Sequence, residues 1–208
     1  MRGNKLNYSN DEYENKYGHL PNTTEELLKY IENNYKLDKD KLEKERERIN
    51  DIKIHKLDAT LFLIPKGGPR PRRGKFGNFY VKGAKDLQKE VRNQLSASGM
   101  IITRTLYQAD IYLETPKEFS KNNMYLAEEK LIRPLTKPDW DNLGKPYCDA
   151  LIKFLLLDDN IICTGIVNKY YSIKPRIELH LEYQEDFDCN YNKYKILKSK
   201  TFKDFINS

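Results

Sequence analysis

The chain has 208 residues, a formal charge of +6 and one third charged residues, with a sequence pI near 9.0. That length suits one domain with an appendage rather than two full domains, and a basic balance favours an acidic partner. No run of about 20 apolar residues is present to span a bilayer, and the polar start MRGNKLNYSNDEYENKYG has no signal-peptide core, so a cytoplasmic protein without a membrane partner is expected. Cys148, Cys163 and Cys189 form no CxxC pair and read as reduced thiols. His19, His55 and His180 are scattered and read as ordinary surface residues.

Residues 1–50 are predicted to be a charged helical extension. Thr23 and Glu26 fit a capping box ahead of Leu27, Leu28, Ile31 and Tyr35. The stretch Asp38–Asp51 is helical in pattern but has only Leu42 and Ile49 to bury. Residues 51–185 are then expected to form the main domain. Leu57, Ala59, Leu61 and Leu63 alternate with Asp58, Thr60 and Phe62 up to Ile64-Pro65, predicting a strand. The following KGGPRPRRGKFGNFYVKGAK reads as an irregular basic loop, because its prolines and glycines oppose regular structure. Between Lys66 and Arg92 stand nine Lys or Arg against two acids, a balance suited to nucleic-acid phosphates. Lys66, Arg70, Arg72, Arg73 and Lys75 are its candidate contacts.

A helix is predicted over Ala84–Ser96 and a second strand over Leu106–Thr115, stopped by Pro116. A polar loop through Asn122 and Asn123 and an extended LIRPLTKPD follow. A helix is placed roughly over Pro146–Leu156, and a last strand over Arg176–Tyr183. Residues 186–208 read as a basic tail with Tyr191, Tyr194 and Phe202 as anchors. The fold class expected is α+β, a mixed sheet packed against helices.

Most of the chemistry lies in KPDWDNLGKPYCDALIKFLLLDDN, residues Lys137–Asn160. Asp139 and Asp141 share a side if extended, and two carboxylates plus substrate oxygens and waters suffice for Mg²⁺. Asp158 or Asp159 can supply a third. Asp141, Lys145 and Asp149 are four apart and share a helix face wherever that segment is helical. Pro146 leaves the helix start open, near Leu143 or at Pro146 itself. The simpler alternative is a DxDN turn that caps the helix, with Lys145 and Asp149 as a surface pair. Trp140 reads either as a core anchor opposite the acids or as a stacking surface for an unpaired base.

An extended lead, DxDN, a nearby lysine, CDAL on a helix and LDDNII together resemble the RusA family of Holliday junction resolvases, over roughly Leu57–Tyr183. The RPR of the basic loop and the strand ending at Pro116 belong to the same resemblance. It implies a RusA-like fold and a homodimeric endodeoxyribonuclease that cuts paired strands of four-way junctions and other branched DNA, in recombination and repair. The expected ion is Mg²⁺, with Mn²⁺ possible, and no small-molecule cofactor is implied. Cleavage by water would leave 5′-phosphate ends. By motif position the metal ligands would be Asp139, Asp141 and Asp159, the catalytic lysine Lys145, and Asp149 a supporting acid. The family's occurrence in phages and prophages would place a phage-encoded copy in the bacterial host cytoplasm. The alternative is a catalytically silent branched-DNA-binding module that serves as a structural or recruitment factor.

Overall fold

The computed structural model describes residues 11–68, 72–74, 77–79, 84–97 and 99–207, and the chain divides into two compact units, Met1–Asp51 and Ile52–Ser208. The first unit holds helices α1 (Asp11–Tyr17), α2 (Thr24–Asn34) and α3 (Lys39–Asn50). The Thr23 hydroxyl accepts the Glu26 N–H at 3.3 Å and donates to the Glu26 carboxylate at 2.9 Å, which starts α2. Asp38 caps α3 through the Lys41 N–H. Neither α2 nor α3 has a buried residue, as their charged sequences require.

The second unit is built on a four-stranded sheet of β1 (Ile54–Leu61), β4 (Thr105–Glu114), β5 (Ile162–Ser172) and β6 (Arg176–Gln184), in the order β1-β6-β4-β5. β6 is antiparallel to both β1 and β4, whereas β4 and β5 are parallel. A parallel pair needs a long crossover. Here it contains α5 (Lys121–Glu128), α6 (Trp140–Leu151) and one 3₁₀ turn (Asp159–Ile161). α6 and α4 (Ala84–Asn93) pack against each other. The core joins Leu61, Ile111, Ile177 and Leu181 of the sheet to Val91 of α4 and Leu143, Tyr147 and Leu151 of α6. Alternation puts polar residues on the opposite face of the strands, so the class is α+β as expected.

Several elements depart from the sequence reading. β1 starts three residues before Leu57 and stops at Leu61 rather than Ile64. The Gln94 side-chain amide stops it by taking the Phe62 N–H and C=O, at 2.8 and 3.3 Å. The segment read as a polar loop through Asn122 and Asn123 is helix α5, capped by the Ser120 hydroxyl on the Asn123 N–H. The basic loop is not wholly irregular, since β2 (Arg72–Gly74) and β3 (Gly77–Phe79) pair antiparallel. Arg72 and Arg73 lie on β2, while Arg70 and Lys75 fall outside the described residues.

β5 lacks clean alternation, because it is an edge strand that is exposed over Thr164–Ile166 and buried over Tyr170–Ser172. The tail forms helices α7 (Asn190–Lys198) and α8 (Lys200–Ile206). Tyr191 and Tyr194 are exposed rather than anchoring. Ile196 packs against the core instead. His180 is no isolated surface residue: it bridges the Asp58 carboxylate of β1 and the Glu182 carboxylate of β6.

Candidate active site on helix α6

α6 begins at Trp140, ahead of both expected starts, Leu143 and Pro146, and ends at Leu151 rather than Leu156. Asp139 takes the extended N-cap position, although its side chain makes no cap bond. The early start is possible because the cost of Pro146 is met from outside the helix. Proline has no N–H to give the carbonyl four residues back, and the Gly68 N–H takes that Asn142 carbonyl at 2.8 Å. Two further bonds tie the same loop to α6, because the buried Tyr147 hydroxyl accepts the Lys66 N–H at 2.8 Å and donates to the Lys66 C=O at 3.1 Å. The root of the basic segment is therefore docked on α6. At the other end Lys153 adopts φ 58°, a left-handed conformation that terminates helices. The Arg92 guanidinium of α4 donates to the Ala150 and Ile152 carbonyls.

One turn of α6 approaches β5 closely. Gly144 is buried there, and a Cβ in its place would lie 2.4 Å from Val167 Cγ2. Two hydrogen bonds flank the contact. The Tyr107 hydroxyl of β4 donates to the Gly144 C=O at 3.3 Å, and the Trp140 indole N–H donates to the Val167 C=O at 2.7 Å. The Arg133 side chain donates to the Lys169 C=O on the same strand. Covering backbone acceptors in this way blunts an open sheet edge.

This packing brings Asp141, Lys145 and Asp149 of α6 together with Asp159 of the 3₁₀ turn around one cavity of about 250 Å³, which Trp140, Tyr107 and Cys148 also line. Lys145 Nζ stands 3.6 Å from Asp149 Oδ1, an exposed pair worth about 0.3–0.5 kcal/mol. The Asp158 carboxylate is engaged locally, accepting the Asp159 N–H at 3.0 Å. Asp159 is the member of the pair that faces the cavity. Asp139 stands one residue ahead of Trp140 and is not among the lining residues. Sequence reasoning made Asp149 a helper; the geometry gives it the same cavity as Asp141 and Asp159. Burial, then the neighbouring Asp149 and Asp159 carboxylates, push the Cys148 thiol up to about 11.

A larger groove of about 680 Å³ shares Asp141, Lys145 and Asp149 with this cavity and adds Lys85, Arg92 and Lys153 from the α4 side and the end of α6. The two spaces thus share two acids and a lysine, and the larger adds three cations. Carboxylates around a common cavity have the chemistry that a hard divalent cation requires. Among the described residues, however, no three His, Cys, Asp or Glu converge as a ready-made cage. An ion at these residues would therefore depend on water or phosphate oxygens for much of its shell.

The family described as Endodeoxyribonuclease RusA matches residues 63–182, more than half of the chain. The chain belongs to the RusA endodeoxyribonuclease family. Its matched span begins at Leu63, ahead of the basic segment, and runs through α6 into β6, as far as Glu182. The uncharacterized protein YqaN of Bacillus subtilis (strain 168) is 41% identical over 71 residues, 33% of this chain and 50% of YqaN. The chain therefore spans about half the length of this curated relative. No helix among the described residues is long and apolar enough to cross a membrane.

Proposed function

We propose that this RusA-family chain is a metal-dependent endodeoxyribonuclease that cuts four-way junctions and related branched DNA by phosphodiester hydrolysis, acting as a homodimer in recombination and repair. The observation that carries this reading is the cavity shared by Asp141, Lys145, Asp149 and Asp159 on a helix to which the basic segment is docked. A two-fold dimer suits a substrate whose two cuts are related by a two-fold axis.

Asp141 and Asp159 would hold the ion, with water and phosphate oxygens filling its remaining positions. Mg²⁺, or Mn²⁺ in its place, would supply a water acidified for attack on phosphorus. The Lys145 ammonium offers a positive charge to the phosphate oxygens, whose charge rises as the attacking oxygen adds. Asp149 pairs loosely with that ammonium, at 3.6 Å. Lys66, Arg70, Arg72, Arg73 and Lys75, with Lys85 and Lys153 along the groove, contact backbone phosphates on either side of the cut. Hydrolysis in this sense leaves a 5′-phosphate and a 3′-hydroxyl.

The test uses a labelled four-way junction, with and without Mg²⁺, and the Asp141→Asn variant. Metal-dependent symmetric nicking by the wild type, lost in the variant, is the expected result. A second reading, a catalytically silent branched-DNA binder, draws on the three acids not converging. Equal binding without cleavage by either protein would establish it and overturn the nuclease.

A further inference from the structure

Trp140 is the chain's one tryptophan, and the structure puts it where a core anchor cannot be. It opens α6 between Asp139 and Asp141, and it is 58% exposed. Its orientation is nevertheless fixed, because the indole N–H is committed to the Val167 carbonyl at 2.7 Å. That bond holds the ring against β5, an edge strand of the sheet, and leaves more than half of the residue in solvent. The ring also lines the cavity that Asp141, Lys145, Asp149 and Asp159 surround. A large aromatic surface held open to water is unfavourable unless something covers it. At this position the cover must also tolerate carboxylates and an ammonium group.

We propose that Trp140 is a stacking platform for an unpaired nucleobase next to the phosphate that Lys145 contacts, and so a determinant of preference for branched over continuous duplex DNA. The inference rests on the nuclease reading above. In a continuous duplex the bases already stack on each other and present no free face to an indole beside the backbone. At a branch point or a gap a base can leave its stack, and an immobilised ring then replaces the neighbour it lost. Stacking of this kind accepts any base, so the residue selects DNA shape rather than sequence. Because the N–H is used within the protein, the ring offers its face without hydrogen-bonding to a base edge.

The single tryptophan makes the contact directly readable. The full chain is titrated without divalent metal with a four-way junction, and with a duplex of the same length, following both tryptophan emission and the anisotropy of a label on the DNA. Quenching of Trp140 by the junction but not by the duplex is expected, together with a fluorescence change of 2-aminopurine placed at the branch. Trp140→Ala should lose about tenfold in junction affinity, with duplex affinity unchanged. Trp140→Phe should recover part of the loss, since it restores a ring but not the Val167 bond. Loss of junction affinity through simple misfolding is excluded by equal circular dichroism and equal duplex binding.

Unchanged emission at saturating junction would overturn the proposal. So would a Trp140→Ala variant that binds the junction as the wild type does, or one whose only defect is a changed oligomeric state. The last outcome would make Trp140 a contact between copies. If the wild type neither binds nor cuts junctions, the nuclease reading itself has failed; if it does both while Trp140 stays silent, only the stacking role has failed.

Discussion

The contact between Gly144 and Val167 offers the sharpest test of how the fold places the site. Gly144→Ala adds a methyl group in the interior of α6, which by helix propensity alone would stabilise the protein by about 1 kcal/mol. The new carbon would stand 2.4 Å from Val167 Cγ2 and 3.4 Å from both Val167 Cβ and Cγ1, so the helix or the strand must move. Valine has few rotamers to escape into. Overpacking of this kind costs about 1–3 kcal/mol, and the net expectation is a loss of about 1 kcal/mol, or roughly 2–4 °C in Tm for a domain of this size. Activity should fall further than stability, because Asp141 and Lys145 flank the displaced turn. Urea denaturation of Gly144→Ala, Val167→Ala and the double variant gives the coupling energy directly. The double variant should be more stable than the sum of the single changes by about 1–2 kcal/mol, as the Val167→Ala change removes the overlapping methyls. A Gly144→Ala protein as stable as the wild type or more so, with no coupling to position 167, would refute the close approach.

Two further predictions concern the basic segment and the sheet. Pro146→Ala restores the N–H that the Asn142 carbonyl lacks, so α6 can satisfy itself and the Gly68 N–H, at 2.8 Å in the native chain, must share its acceptor. Stability should change little while junction affinity falls several-fold; equal affinity in an anisotropy titration would show that the docking is not needed for binding. His180 should make stability depend on pH. Its bond to Asp58 raises its pKa above the usual 6.5, opposed by burial and aided in turn by its bond to Glu182. Facing it are Asp58 and Lys56 of β1, Glu178 and Glu182 of β6, and Asp110 of β4. A raised folded-state pKa means that the stabilisation is complete below 6.5 and is lost as pH rises through the folded value. Chemical denaturation from pH 5 to 9 should show this decline in the wild type and lose that component in His180→Gln; an identical pH profile in both would refute the role.

How far the sequence reached follows from what each signal depends on. Period-two alternation in β1, β4 and β6 reflects one buried and one polar face, and their placement was right to within a few residues. β5 escaped that test, because as an edge strand it is exposed at one end and buried at the other. α5 escaped because its pattern, KNNMYLAE, buries a single residue, Ala127. The acid cluster and its lysine were legible from spacing. The start of α6 was not, since Pro146 argued against it and the compensating Gly68 N–H comes from 78 residues earlier in the chain.

The sequence by itself determined the chemistry on offer: carboxylates at 139, 141, 149, 158 and 159, a lysine at 145, and basic residues clustered between 66 and 92. Residue type and local periodicity suffice for that, because they are properties of short stretches of chain. Only the tertiary structure decided which of those groups meet. It turns Asp158 into a local cap, brings Asp159 back to the face of Asp141 and Asp149, and holds Trp140 open beside them. Those outcomes depend on the approach of α6 to β5 at Gly144 and on loop bonds across distant positions. Such contacts are set by packing between segments far apart in the chain, which no local pattern encodes.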